Sequence, residues 1–218
     1  MYLPAHFAET RPEILLSVMA THPLAHLVVY GEGGLTADPV PLLHAPDPAP
    51  LGRLRGHLAR ANPLWKAAGE EGVDVLVLFQ GPGAYVSPNW YPSKKEDHRA
   101  VPTWNYVTVQ ARGRLRAVRE AGWLRSLLAE MTAAHEAGLA EPWRLEEAPA
   151  DFLERMLAAV VGIEIEVKEL TGKWKLSQNQ PPANRAGVMA GLERLGTAEA
   201  LAVAGLMRRR EAGGGGPA

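Results

Sequence analysis

From residue 25 to residue 118 the chain offers one strand-like segment after another, and few of the connections leave room for a helical crossover. Residues 25–30 carry Leu27, Val28 and Val29. Residues 35–43 follow across the turn signal Gly31-Glu32-Gly33-Gly34, and residues 51–59 follow the proline-rich stretch 46–50. The nearly continuous apolar run VDVLVLF at 73–79 predicts a strand buried on both faces, and Gly81-Pro82-Gly83 predicts a turn after it. A fifth strand is expected from Thr103 to about Val118. Parallel neighbours need a crossover of about a dozen residues or more, so these five segments are expected to pair antiparallel.

Helices are expected around this core. Thr10-Arg11-Pro12-Glu13 reads as a capping box ahead of the apolar face Ile14, Leu15, Val18 and Met19, which ends at His22-Pro23. Asn62-Pro63 reads as an N-cap with proline at the first helical position, opening a short helix that carries Trp65 and Lys66. After residue 118 the period changes. Trp123, Leu124, Leu127, Leu128 and Met131 mark an amphipathic helix, and residues 150–159 a second one. In residues 162–170, Ile163, Ile165 and Val167 alternate with Glu164, Glu166 and Lys168, the mark of a half-buried strand. Residues 172–182 read as an irregular polar segment, and two more helices are expected around Val188–Leu192–Leu195 and over 201–207. The sum is a mainly β chain with α: a closed or split β-barrel with peripheral and C-terminal helices.

Composition narrows the function. The chain has 218 residues and a formal net charge of −1, so it lacks the basic excess on which extensive phosphate contact with nucleic acid depends. It has no cysteine, which removes disulfides, thiolate metal sites and thiol nucleophiles and fits a reducing compartment. No apolar stretch approaches the roughly 20 residues of a membrane helix, and the first ten residues lack the features of a secretion signal. A soluble, cytoplasmic protein is expected. There is no Walker A sequence, no G-x-G-x-x-G, no G-x-S-x-G elbow and no defensible histidine metal spacing.

Three segments carry candidate chemistry. Tyr85, Trp90, Tyr91, Trp104 and Tyr106 lie within 22 residues of a chain with only fourteen aromatics, interleaved with Ser87, Asn89, Thr103 and Asn105. Amphipathic rings beside small polar groups suit a planar heteroaromatic ligand, and equally an aromatic core beneath a long loop. In Gly56-His57-Leu58-Ala59-Arg60-Ala61-Asn62-Pro63 a strand ends and a helix begins. Free N–H groups there favour an anion, Arg60 adds a phosphate clamp, and His57 and Lys66 add donors; ordinary capping is the plainer use. In residues 172–180, Lys173, Lys175, Ser177 and Gln178 suit a phosphate, a ring edge or a solvated loop.

With Met1-Tyr2-Leu3-Pro4, Ala84-Tyr85-Val86-Ser87-Pro88-Asn89-Trp90-Tyr91, Val101-Pro102-Thr103-Trp104-Asn105-Tyr106 and Gly172-Lys173-Trp174-Lys175-Leu176-Ser177-Gln178-Asn179 added, the chain resembles the PaiB family of FMN-binding negative transcriptional regulators from Met1 to about Leu195. The resemblance implies a split barrel of the flavin-reductase and pyridoxamine-phosphate-oxidase type over residues 1–182, with a helical extension at 183–210 and a flexible tail at 211–218. It implies FMN as cofactor and a homodimer with FMN at the interface. The expected cofactor-binding residues are His57, Arg60, Asn62, Lys66, Ser87, Trp90, Thr103, Trp104, Asn105, Lys175, Ser177 and Gln178. Two functions stay open: a regulator in which the flavin is a ligand or redox sensor, and an FMN-dependent oxidoreductase that does not contact DNA. Haem ligation through His57 or another histidine is a third. DNA binding by this chain alone is expected to be weak. The sequence offers a basic run at Arg208–Arg210 and an alternating set, Arg53, Arg55, Arg112, Arg114 and Arg116, that would share strand faces.

Overall fold

A computed structural model describes residues 1–31 and 33–213. The turn position Glu32 and the tail at 214–218 lie outside the described residues. The elements in chain order are β1 (Ala8–Glu9), α1 (Pro12–Thr21), β2 (Leu24–Gly31), β3 (Gly34–Pro41), β4 (Leu43–Ala45), β5 (Arg53–Ala59), β6 (Val73–Val86), α2 (Lys94–Asp97), β7 (Thr103–Val118), α3 (Ala121–Glu136), α4 (Ala150–Ala158), β8 (Val160–Lys175), α5 (Pro182–Leu195) and α6 (Ala198–Glu211). Short 3-10 turns at Pro63–Ala68 and Pro88–Trp90 matter to the site.

The chain divides into two units, each made of separate stretches: residues 1–22, 79–110 and 170 onward form one, residues 23–78 and 111–169 the other. The long strands β6, β7 and β8 each contribute to both.

In the second unit the strand order is β3-β2-β6-β7-β8-β5-β4. The β2/β3, β2/β6, β4/β5 and β5/β8 pairs are antiparallel, as the short connections require. The edge strands β3 and β4 are joined through the single residue Leu42. A sheet whose two edges are consecutive in the chain must curl until those edges meet. Gly56 of β5 sits where they come together: a Cβ there would stand 2.8 Å from the Pro41 carbonyl oxygen and 2.8 Å from Leu42 Cδ2. One face of β2, β5, β6 and β8 is buried by period-2 alternation, with Leu27 and Val29, Leu54 and Leu58, Val75 and Val77, and Ile163 and Ile165 forming the core. Outside it, Leu124, Leu145, Leu153 and Leu157 join α3 and α4 in a small second core.

The first unit holds the remaining parts of β6, β7 and β8, with β1 pairing antiparallel to β8 at Ala8–Lys173 and Glu9–Gly172. Val107, Val109, Leu176, Val188, Leu192, Val203 and Met207 bury it beneath α5 and α6.

Four local expectations are corrected. The Thr10 capping box does not form: the N-cap of α1 is Arg11, one residue later and without a side-chain cap, and Glu9 instead accepts from the backbone N–H of Thr10 and Arg11, both at 3.1 Å. Gly81 and Gly83 do not turn the chain. They continue β6, and their missing side chains let β7 approach, since a Cβ on Gly81 would meet Val107 at 3.2 Å. The run 73–79 is buried on one face only, with Asp74 exposed and Leu76 and Leu78 half-buried. The irregular segment begins after Lys175, not at Gly172, because β8 runs on to pair with β1.

The meeting of β3, Leu42 and β5 leaves no room for a side chain at Gly56. Gly56→Ala is expected to destabilise the protein by about 1–3 kcal/mol, the usual range for overpacking a tight contact. A urea-unfolding series reads this as a lower midpoint at unchanged slope.

Candidate functional site

The expected cofactor residues fall into two groups, one in each unit. In the second unit, β5 alternates Leu54, Gly56 and Leu58 inward and so carries His57 on its other face. His57 opens on a cavity of about 440 Å³ lined by Asp38, Pro39, Val40, Pro41, Leu58, Ala59, Asn62 and Val160. Its Nδ1 is buried with no hydrogen-bond partner among the described residues. Burial holds the imidazole below its ordinary pKa of 6.5. Asn62 caps the 3-10 turn as expected, its Oδ1 accepting from Leu64 N at 2.9 Å, while its Nδ2 donates to Asp38 Oδ2 at 2.6 Å.

Arg60 leaves β5 and staples the end of α4. Its Nε and Nη2 donate to the carbonyls of Ala158 and Val160 at 2.7 and 3.0 Å. Its own carbonyl accepts the Trp65 indole N–H at 3.0 Å. Lys66 Nζ lies 5.8 Å from the Trp65 ring centroid, and the Arg119 guanidinium lies 5.0 Å from it. Among the described residues none of these three cations faces a carboxylate in an ion pair. Arg53, Arg55, Arg112 and Arg114 do, with Glu164, Glu130, Glu169 and Asp74. Arg119 was not legible as a site residue, because it reaches Trp65 only through the course of β7.

In the first unit, Ser87 caps the turn Pro88–Trp90 through Asn89 N. Trp90 is seated on α5, its ring over Gly191 and its carbonyl over Gly187, where a Cβ would collide with it. Asn105 is wholly buried and bonded to Ser177: Nδ2 donates to Ser177 Oγ at 2.9 Å, and Ser177 Oγ donates back to Asn105 Oδ1 at 3.1 Å. Ser177 adopts φ 63°, a left-handed conformation uncommon outside glycine, and this clasp helps to hold it there. Gln178 closes the same turn, accepting from Leu176 N at 2.7 Å and donating to the Trp174 carbonyl.

Lys175 Nζ donates to Thr103 Oγ1 at 2.6 Å and to the Trp104 carbonyl at 2.5 Å. Burial, and then the neighbouring charge of Lys173, lower its pKa from the ordinary value. The Trp104 ring is exposed and meets Tyr85 edge-on, with centroids 6.2 Å apart. A cavity of about 620 Å³ opens on Trp104 and Tyr106, and its wall also includes His22, Gln80, Gly81, Gly83 and Glu199. Among the described residues no cluster of histidine, aspartate and glutamate has the geometry of a metal site.

The arrangement offers, in one unit, cations without counter-charges beside an aromatic ring and a half-buried histidine. In the other it offers lysines beside exposed aromatic rings. Comparison with known proteins accords with this chemistry. Residues 1–169 match the family described as "Putative FMN-binding domain". An uncharacterized protein of Emericella nidulans is 32% identical, covering 96% of this chain and 97% of its own. The Bacillus subtilis protease synthase and sporulation protein PAI 2 is 31% identical, covering 95% of this chain and 96% of its own. Among solved structures, the FAD and heme binding protein from Mycobacterium smegmatis superposes with a TM-score of 0.57 at 19% identity, over 77% of this chain and 73% of that one. The chain therefore belongs to the FMN-binding domain family, with the mainly β, split-barrel fold class and with FMN as its cofactor.

Proposed function

We propose that this protein holds FMN by its phosphate at Arg60, Lys66 and Arg119 and uses the flavin as a redox group, without reading DNA itself. The observation that carries this reading is the placing of two cations, Lys66 and Arg119, against the Trp65 ring, with the Arg60 carbonyl accepting the Trp65 indole N–H and none of the three side chains in an ion pair among the described residues. A phosphate supplies the missing counter-charge, and charge-assisted hydrogen bonds are the strong ones. The residues present fit the group. His57 Nδ1 is a buried polar atom awaiting a partner, and Asp38 and Asn62 line the same cavity with the acceptors and donors that a sugar-alcohol chain needs. When bound, FMN supplies hydride or electron transfer, and the protein supplies binding, orientation and charge.

The regulatory reading is weaker on electrostatic grounds. Four of the arginines that would form a basic face are neutralised: Arg53 by Glu164 at 2.8 Å, Arg55 by Glu130 at 2.6 Å, Arg114 by Asp74 at 3.3 Å and Arg112 by Glu169 at 3.9 Å. Of the run Arg208–Arg210, Arg208 is paired with Glu193. Such a surface offers little to a phosphate backbone. The assembly we propose is a homodimer. It is supported by the exposed Tyr85–Trp104 pair in the first unit, 45% and 57% accessible, since large exposed aromatics are what interfaces cover.

Lys66→Ala and Arg119→Ala are each expected to weaken FMN by about 1.5–3 kcal/mol and riboflavin by far less, because riboflavin lacks the phosphate. Flavin fluorescence quenching measures both; equal weakening of the two ligands would remove the phosphate from this cluster.

The His57 pKa is lowered in the folded state, so the unfolded chain takes up the proton first as pH falls. Stability is therefore fully present above the ordinary value of 6.5 and declines below it. In flavin-free protein, His57→Gln is expected to flatten the loss of stability between neutral and mildly acidic pH. In the wild type, FMN binding is expected to raise the His57 midpoint seen by NMR.

Light scattering of FMN-loaded protein at micromolar concentration is expected to give twice the chain mass; a clean monomer with FMN bound would exclude a site shared between copies.

A further inference from the structure

Lys173 and Lys175 stand two residues apart on β8, so their side chains leave the same face of the strand. The Nζ of Lys173 lies 5.5 Å from the centroid of Tyr106 and 5.6 Å from that of Tyr2, and it donates to the Tyr2 carbonyl at 3.1 Å. It is 91% buried, since only 9% of Lys173 is accessible. Lys175 has two of its three N–H groups committed, to Thr103 Oγ1 and the Trp104 carbonyl. Neither lysine forms an ion pair among the described residues. Glu9, opposite Gly172 in the β1/β8 register and so one residue from Lys173, is already held by Arg11 through two side-chain hydrogen bonds.

Two like charges on one face, one of them buried, repel each other, and an anion beside both offsets the repulsion and the lost hydration. The surroundings say which kind of anion. Tyr106 stands beside Lys173, Trp104 is two residues from it on β7, and the 620 Å³ cavity opens on both rings. The acid in that cavity wall is Glu199, whose Oε2 accepts from Gly83 N at 3.2 Å. A negatively charged ligand is thus repelled from the Gly83 wall. We propose that Lys173 and Lys175 form a receptor for the oxyanion of a planar aromatic ligand whose ring lies against Trp104 and Tyr106. The oxyanion is the carboxylate of a separate aromatic ligand. The proposal does not depend on the phosphate cluster in the other unit.

The test is calorimetric titration of the full chain, FMN-free and FMN-loaded, with benzoate and with benzamide, its uncharged analogue of nearly the same shape. Benzoate is expected to bind the FMN-free protein at least ten-fold more tightly. Lys173→Met and Lys175→Met are each expected to bring that ratio close to one while leaving the circular dichroism spectrum unchanged. A wild-type measurement guards against variants that fail to fold. An anion restores the proton affinity of Lys175, so benzoate binding at alkaline pH should take up a proton, read as a dependence of the heat on the buffer. A preference for benzoate that survives FMN loading supports a receptor for a separate ligand, and one that FMN abolishes would overturn it by placing benzoate in the flavin's own site. Equal binding of the two probes, no binding of benzoate, a preference that survives both lysine changes, or no proton uptake would overturn it. Failure of FMN to bind leaves the FMN-free arm standing, so the two readings fail separately.

Discussion

The single residue Leu42 joins the two edge strands of the seven-stranded order, and much of the second unit follows from that join. A sheet ordered from β3 to β4 has those strands at opposite edges, yet they are neighbours in the chain. The only way to satisfy both is to curl the sheet. Curling gives it an inside, and the inside is filled by alternate residues of its long strands, Leu27, Leu54, Val77 and Ile163 among them. It also dictates a glycine at Gly56, where strand and connection come too close for a Cβ. His57 then takes its place on the other face, beside residues of β3 that the same curl brings to it.

Counter-charge is the second organising constraint. The surface of the second unit is laced with arginine–carboxylate pairs, each of modest energetic worth in solvent. Their collective effect is to quench the positive potential of the strand faces. Against that background the cations around Trp65 and the lysine pair on β8 stand apart, because each gathers positive charge without an ion-pair partner among the described residues. The cost is greatest at Lys173, which is buried, since desolvated charge is costly. A dianionic phosphate and a planar oxyanion are the complements these two groupings fit.

Much was legible in the sequence. The antiparallel order, the Asn62 cap, the long β7 and the helices after residue 120 follow from loop length, cap chemistry and a change of period. The reading failed where a residue's role depends on a distant neighbour. Gly81-Pro82-Gly83 has the composition of a turn, but its glycines serve the close approach of Val107 and lie inside a strand. Gly172 to Lys175 looked irregular because its partner, β1, is a two-residue strand with no signal of its own. The bond between Asn105 and Ser177, both expected to contact the cofactor, joins residues 72 apart and so carries no local signal.

The sequence by itself determined most of the elements, the antiparallel sense of their pairing, the family and the types of side chain available to hold a flavin, because these rest on local pattern and on residue chemistry. Tertiary structure alone decided which polar groups are already occupied. Arg60 is drawn to the carbonyls that end α4, Arg119 arrives at Trp65 from the far end of β7, and Lys173 is enclosed by Tyr2 and Tyr106 from distant parts of the sequence. A hydrogen bond or an ion pair requires its partners within about 3–4 Å, and only the folded chain settles which partners those are.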